Sequence, residues 1–117
     1  MNVTGVLLLD KEEGVTSHGV VERVREILDQ QRVGHTGTLD PMATGLLPLC
    51  LGKATRLSRF LTSSDKTYAG TIRFGMATDT HDREGKPLGP PREVRFSEAR
   101  LREAVAALTG PIIQIPP

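Results

Sequence analysis

The feature of this 117-residue sequence that most limits its fold is the segment at residues 34–45, which reads GHTGTLDPMATG. It shows neither the 3.6-residue period of a helix nor the alternation of a strand, and it contains three glycines and a proline. Such a segment predicts an irregular loop of fixed shape, in which Gly34, Gly37 and Gly45 allow sharp turns and a close approach of a ligand to the main chain. Asp40 is the one carboxylate in this loop, and Pro41 sterically excludes the helical region for it.

Regular elements are predicted before the loop and directly after it. Residues 5–10 are apolar and predict a strand, and Thr16 or Ser17 then caps a helix that ends at residues 30–32. The apolar run at residues 46–51 predicts a strand in which Pro48 occupies an edge or a bulge. The inward stripe of the helix is predicted to be Val20, Val21, Val24, Ile27 and Leu28.

The rest of the chain adds further helices and strands. Residues 53–61 predict a helix, residues 66–76 alternate as a half-buried strand does, and residues 78–91 predict a long loop or loose hairpin. Ser97 caps another helix, which Gly110 and Pro111 stop, and residues 112–115 predict a last strand. The predicted fold class is α+β, a mixed and mostly antiparallel sheet with flanking helices. Inward positions are predicted at Ala54, Leu57, Phe60 and Leu61, and at Leu101, Ala104, Val105 and Leu108.

Composition excludes several classes of protein. No apolar run approaches the roughly 18 residues of a membrane helix, so we expect a cytoplasmic protein with no membrane partner. Cys50 is the single cysteine, expected to be a buried strand residue and unable to form an internal disulfide. Gly52-Lys53 continues with Ala54 and so does not complete a phosphate-binding loop, and no zinc-ligand set or Gly-x-Ser-x-Gly motif occurs. These patterns therefore give no indication of a metal site or of a phosphate-binding loop.

The positive charge is concentrated in the middle of the chain. The formal net charge is +1, but residues 32–74 alone carry +4. This region is suited to binding phosphates. A solvated surface without a partner remains the alternative.

Asp40 has two interpretations that the residues alone leave open. A carboxylate held rigidly against an electrophilic carbon is a competent nucleophile. An Asp-Pro pair is also an ordinary helix start, with the aspartate as the cap and the proline at the first helical position. The spacing does not decide between them.

A resemblance to a known family decides between the two interpretations of Asp40. The run GHTGTLDPMATGLLP at residues 34–48 resembles the long active-site signature of the TruB family of tRNA pseudouridine synthases. The family's other motifs follow in order: GVLLLDK at 5–11 with GVTS at 14–17, GKATR at 52–56, DKTY at 65–68 and TDTHD at 78–82. Glu12 departs from the pattern, since the family usually has proline there.

The resemblance implies an isomerase that converts uridine 55 in the T arm of tRNA to pseudouridine without a cofactor. Asp40 would be the nucleophile, attacking the flipped-out nucleotide at its sugar or its base. Tyr68 would stack on the flipped base, His35 would fill the space that the base leaves, and Thr38 and Asp82 would also line the substrate site. The RNA backbone would meet Lys53, Arg56 and Arg59. Each role has a structural alternative. Tyr68 could be a core residue, His35 could be a solvated loop residue, and the basic helix face could be a solvent-exposed surface without a partner.

The resemblance also implies that residues 1–117 are the amino-terminal portion of a catalytic domain. The remainder of that domain, an arginine that pairs with the nucleophile, and a C-terminal RNA-binding domain would then lie outside the chain. On this interpretation the chain alone is inactive, and no obligate protein partner is expected. Two rivals remain, a non-catalytic RNA-binding module on the same scaffold and a purely structural α+β domain.

Overall fold

The computed structural model describes residues 2–117, and the chain forms two compact units, Met1–Thr67 and Tyr68–Pro117. The first unit contains a three-stranded sheet made of β1 (Gly5–Lys11), β2 (Val33–His35) and β3 (Gly45–Leu51). The strand order is β1-β3-β2, and both pairings are antiparallel. Lys11 lies opposite Gly45, and His35 lies opposite Leu49, so the segment between β2 and β3 begins and ends on this sheet. With the helices beside it, this antiparallel sheet confirms the predicted α+β class.

Helix α1 (Ser17–Leu28) packs against one face of the sheet. Thr16 is its N-cap, since the Thr16 Oγ1 accepts a hydrogen bond from the Gly19 N–H at 2.9 Å. The helix ends slightly earlier than predicted, at Leu28, because Asp29 adopts the left-handed conformation with φ of 47°. Helix and sheet together bury a core of Val21, Val24, Val33, Leu39, Leu47, Leu49 and Leu51.

Ile27 was predicted to face this core, and that prediction is wrong. Its side chain is 66% exposed. At 3.6 residues per turn, Ile27 points about 80° away from Ser17 and lies at the margin of the apolar stripe. The stripe that the core uses is therefore narrower than the run of apolar residues.

Pro48 was predicted at an edge or a bulge, but β3 is the central strand and pairs Pro48 with Leu8 in regular register. The Pro48 carbonyl accepts a hydrogen bond from the Thr36 N–H at 3.1 Å, so the main-chain polar groups of Pro48 face the β2 side. Strand β2 ends at His35, one residue before this point. The missing proline N–H is tolerated because it faces the place where the regular ladder has stopped.

After β3 the chain forms a 3₁₀ helix (Gly52–Leu57) and then a single helical turn, α2 (Ser58–Leu61). This replaces the one regular helix predicted for residues 53–61. Ala54 is buried as predicted, but Leu57, Phe60 and Leu61 are exposed. The 3₁₀ helix packs against all three strands of the sheet, whereas α2 packs chiefly against the 3₁₀ helix.

The strand predicted for residues 66–76, most of which belong to the second unit, is absent. No strand among residues 2–117 pairs with this segment, and Tyr68, Ile72 and Phe74 are exposed. Alternation shows that a segment suits a sheet, but a strand also needs a partner for its backbone hydrogen bonds. The prediction for residues 78–91 is confirmed, since a bridge between Thr78 and Pro87 closes a loose hairpin.

The last helix, α3 (Glu98–Ala107), begins as predicted. The Ser97 Oγ accepts a hydrogen bond from the Arg100 N–H at 3.2 Å. Of the residues predicted to face inward, Ala104, Val105 and Leu108 are exposed. Residues 112–115 form no strand, and the Ile113 side chain is 98% exposed. The helices formed by residues 2–117 are all too short or too polar to cross a membrane.

Candidate active site

Asp40 lies in the irregular segment between β2 and β3, and its side chain is exposed. The main chain makes a turn here, because the Ala43 N–H donates to the Asp40 carbonyl at 2.9 Å. No helix begins at Asp40, so the helix-cap interpretation is excluded. Within residues 2–117 the Asp40 carboxylate makes no hydrogen bond and no ion pair. It is therefore free to meet a ligand.

The residue before Asp40 is fixed by helix α1. The Ser17 hydroxyl donates to the Leu39 carbonyl at 3.1 Å and accepts from the Leu39 N–H at 2.9 Å. Both residues are buried, with exposures of 3% for Ser17 and 8% for Leu39. The Leu39 side chain belongs to the hydrophobic core.

The residue after Asp40 is fixed by the segment that follows β1. The Pro41 carbonyl accepts hydrogen bonds from the Gly14 N–H at 2.7 Å and from the Lys11 ammonium at 3.2 Å. The Lys11 side chain is only 2% exposed, and its Nζ also donates to the carbonyls of Glu12 and Val15 at 2.9 and 2.7 Å. Three carbonyl acceptors thus satisfy the three protons of a buried ammonium.

The beginning of the loop is fixed to β3. The buried Thr36 side chain donates to the Pro48 carbonyl at 3.3 Å, in addition to the main-chain hydrogen bond. The Nδ1 of the half-buried His35 lies 2.9 Å from the Gly37 carbonyl, so this ring is fixed locally at one nitrogen. Thr38, two residues before Asp40, is exposed.

Two glycines give the loop its shape. Gly37 and Gly45 have φ angles of +138° and +119°, which residues with a side chain rarely adopt. At Gly37 a Cβ atom would also lie 2.8 Å from the Lys66 Nζ, so the lysine side chain passes over this glycine. Gly34 lies in β2 and needs no such conformation.

Tyr68 and Asp82 belong to the second unit. Tyr68 is 62% exposed, which excludes the interpretation as a core residue. The Asp82 carboxylate accepts hydrogen bonds from the Thr80 hydroxyl at 2.7 Å and from the Glu84 N–H at 2.9 Å. These bonds, the one from Thr80 first, hold the pKa of Asp82 below its ordinary value. Because these partners belong to its own loop, the Asp82 carboxylate stabilises the hairpin. Its role at a substrate site stays a prediction.

The predicted phosphate-binding residues Lys53, Arg56 and Arg59 are all exposed. Lys53 and Arg56 project from one side of the 3₁₀ helix, in which residues three apart eclipse each other. The Arg59 guanidinium lies 4.7 Å from the centre of the Phe60 ring. Strand β3 is about 20 Å long at roughly 3.3 Å per strand residue, and the 3₁₀ helix follows the end of β3 opposite to Gly45. These cations therefore lie beyond the end of β3 that is farther from Gly45.

The same residues offer no catalytic thiol and no metal site. Cys50 is completely buried in β3, as predicted, and burial raises the pKa of its thiol. No group of three or more potential metal ligands occurs within residues 2–117.

Sequence reasoning missed Lys11 and Ser17 as parts of this site. A signal for Ser17 was present, because positions 17, 21, 24 and 28 follow the helical period and place a hydroxyl on the core stripe. A polar residue on such a stripe needs a buried partner. Nothing in the local sequence identified that partner as Leu39, because the contact spans 22 residues.

Comparison with known proteins gives the family. The N-terminal domain of the TruB family of pseudouridylate synthases matches residues 25–117. Among curated proteins, the tRNA pseudouridine synthase B of Aromatoleum aromaticum is 51% identical over 98% of this chain and 37% of its own length. That of Hydrogenovibrio crunogenus is 44% identical over 98% of this chain and 38% of its own length. This chain belongs to the TruB family of pseudouridylate synthases.

A solved structure is also similar. A chain in the crystal structure of a Cbf5–Nop10–Gar1 complex shares 50% sequence identity and a TM-score of 0.47, over 48% of this chain and 17% of that one. The present chain spans less than two fifths of the length of the two curated relatives named above.

Proposed function

We propose that this protein converts uridine to pseudouridine in the T arm of tRNA, at position 55, with Asp40 as the nucleophile. The observation that carries the proposal is the geometry at Asp40, an exposed and unbonded carboxylate whose two neighbours in the chain are fixed by hydrogen bonds to the buried residues Ser17 and Lys11. The family supports the choice of reaction, and the names of the curated relatives support tRNA as the substrate.

The chemistry needs one nucleophile and one proton transfer. The Asp40 carboxylate attacks the flipped nucleotide at the sugar carbon C1′ or at the base, and the bond between N1 and C1′ breaks. The uracil rotates, a bond forms between C5 and C1′, and the bond to Asp40 is released. C5 loses its proton and N1 gains one, so the product is an isomer of the substrate.

The fixed loop suits this reaction. Attack requires the carboxylate at a defined position, and the contacts that hold the main chain on either side of Asp40 help to define that position. Tyr68 stacks on the extruded base, and its exposed ring is available for this contact. His35 and Thr38 belong to the same loop as Asp40 and contact the RNA around the vacated position.

A conversion assay tests the proposal. The protein in its full natural length is incubated with a tRNA transcript, and the nucleosides are separated by chromatography after digestion. We expect pseudouridine from the natural transcript and none from a transcript with cytidine at position 55. A non-catalytic RNA-binding module would bind both transcripts and form no product, and that result would reject the enzyme.

The isolated chain is a separate case. The resemblance assigns an arginine that pairs with the nucleophile to a region outside residues 1–117. We therefore expect a purified 117-residue chain to form no product. Turnover by that chain would show that the described residues suffice.

A further inference from the structure

Ser17 uses a single hydroxyl to satisfy both main-chain polar groups of Leu39, the residue before Asp40. It donates to the Leu39 carbonyl and accepts from the Leu39 N–H, at 3.1 and 2.9 Å. Both residues are shielded from water, so no solvent competes for these groups. We infer that Ser17 is a positioning residue for the Asp40 nucleophile, an inference that rests on the proposed function.

The link from Ser17 to Asp40 is the peptide plane. The Leu39 carbonyl and the Asp40 nitrogen belong to one planar peptide group. A hydrogen bond that fixes the carbonyl therefore also fixes the direction of the Asp40 N–Cα bond. On the other side, Pro41 restricts the conformation of Asp40, and the Pro41 carbonyl is held by Gly14 and Lys11. The peptide before Asp40 is held at the Leu39 carbonyl, and the peptide after it is held at the Asp40 carbonyl, which accepts a hydrogen bond from the Ala43 N–H at 2.9 Å. Little freedom remains except rotation of the Asp40 side chain.

The hydroxyl of Ser17 is not needed to begin helix α1. That role belongs to Thr16, whose side chain accepts the hydrogen bond from the Gly19 N–H. Thr16 and Ser17 are adjacent in sequence, yet one bonds within the helix and the other bonds to the loop. Thr16 therefore stabilises the start of the helix, and Ser17 positions the nucleophile.

The test compares Ser17→Ala with Thr16→Ala in the protein at its full natural length. Loss of the Ser17 hydroxyl leaves a buried donor and a buried acceptor unpaired, and the Leu39–Asp40 peptide must shift. We expect kcat to fall on the order of 100-fold in Ser17→Ala, the scale of a displacement of about 1 Å at a reacting group. The Kd for tRNA should stay unchanged, since Ser17 is buried. Thr16→Ala should lower the melting temperature and leave kcat unchanged.

A second measurement covers the case in which Ser17→Ala does not fold. Hydrogen exchange in the unmodified protein should show a Leu39 amide that exchanges far more slowly than the amide of Thr38. A fast Leu39 amide would overturn the inference without any variant.

The outcomes separate the inference from the proposed function. If the unmodified protein forms pseudouridine and Ser17→Ala has the same kcat, only the inference is overturned. An equal loss of kcat in Thr16→Ala would also overturn it, because the effect would then be one of helix stability. If the unmodified protein forms no product, the proposed function fails and the inference fails with it.

Discussion

At the scale of single residues, Asp40 and Asp82 show two opposite uses of a carboxylate. The Asp40 carboxylate accepts no hydrogen bond from the described residues, whereas the Asp82 carboxylate accepts bonds from the Thr80 hydroxyl and the Glu84 N–H. Donors satisfy and fix the Asp82 carboxylate, which stabilises a loop. The free carboxylate of Asp40 keeps its lone pairs available for a ligand, which suits a nucleophile.

The pKa of Asp82 gives a prediction at this scale. The Thr80 hydroxyl is the first cause of its lowered pKa, so Thr80→Val should raise the pKa of Asp82 towards the ordinary value. A lowered folded-state pKa stabilises the hairpin above the unfolded-state pKa, and this stabilisation is lost as the pH falls through the folded-state pKa. As the pH falls, Thr80→Val should therefore lose this stabilisation of the hairpin at a higher pH than the unmodified protein does. An NMR titration of the Asp82 carboxyl carbon measures the pKa, and an unchanged value in Thr80→Val would contradict this account.

At the scale of elements, the Asp40 loop takes its shape from its surroundings. Helix α1 holds Leu39 through Ser17, and the segment after β1 holds Pro41 through Lys11 and Gly14. A loop with three glycines would otherwise lose much entropy on becoming ordered. The buried hydrogen bonds offset that loss.

Lys11 gives the prediction at this scale. Lys11→Met keeps most of the apolar stem but leaves three carbonyls without their shared donor, so unfolding should become easier by about 3 kcal/mol. Lys53→Met is the matched control, because Lys53 is exposed, and its effect should stay within about 0.5 kcal/mol. Urea denaturation of both variants measures the difference. Equal stability of the two variants would show that Lys11 does not hold the loop.

The sequence was most informative where structure is local. The caps at Thr16 and Ser97, the 3.6-residue period of buried positions in α1, and the irregular loop around Asp40 were all predictable. The prediction failed where an element depends on a distant partner. Residues 66–76 alternate as a strand does but have no pairing partner among the described residues, and the tolerance of Pro48 depends on where β2 ends. The contacts of Ser17 and Lys11 also span the chain and leave no local pattern.

At the scale of the whole molecule, charge is distributed unevenly. The chain is nearly neutral, but residues 32–74 carry +4 and include the exposed Lys53, Arg56 and Arg59. Other arginines are already paired: Arg23 with Glu26, Arg100 with Glu103 and Arg102 with Glu98. A cation without a carboxylate neighbour is better placed to meet a phosphate.

The salt dependence of RNA binding tests this distribution. Each phosphate contact contributes about 0.7–0.9 to the slope of log K against log salt, so replacing Lys53, Arg56 and Arg59 by glutamine should reduce the slope by about 2. Replacing Arg23, Arg100 and Arg102 by glutamine removes the same charge and should change the slope little. Binding of tRNA at several salt concentrations gives both slopes. An equal reduction in the two triple variants would mean that net charge alone determines binding.

The most direct test of the central claim is the single-turnover rate of pseudouridine formation by Asp40→Asn, measured beside Asp29→Asn in the protein at its full natural length. Asp29 is exposed and left-handed, a conformation that asparagine tolerates, so the control makes the same charge change without strain. We predict that Asp40→Asn loses on the order of 10⁴-fold or more in rate, as expected for loss of a nucleophile, while it still binds tRNA and Asp29→Asn keeps its rate. An Asp40→Asn protein that forms pseudouridine as fast as Asp29→Asn would contradict the account.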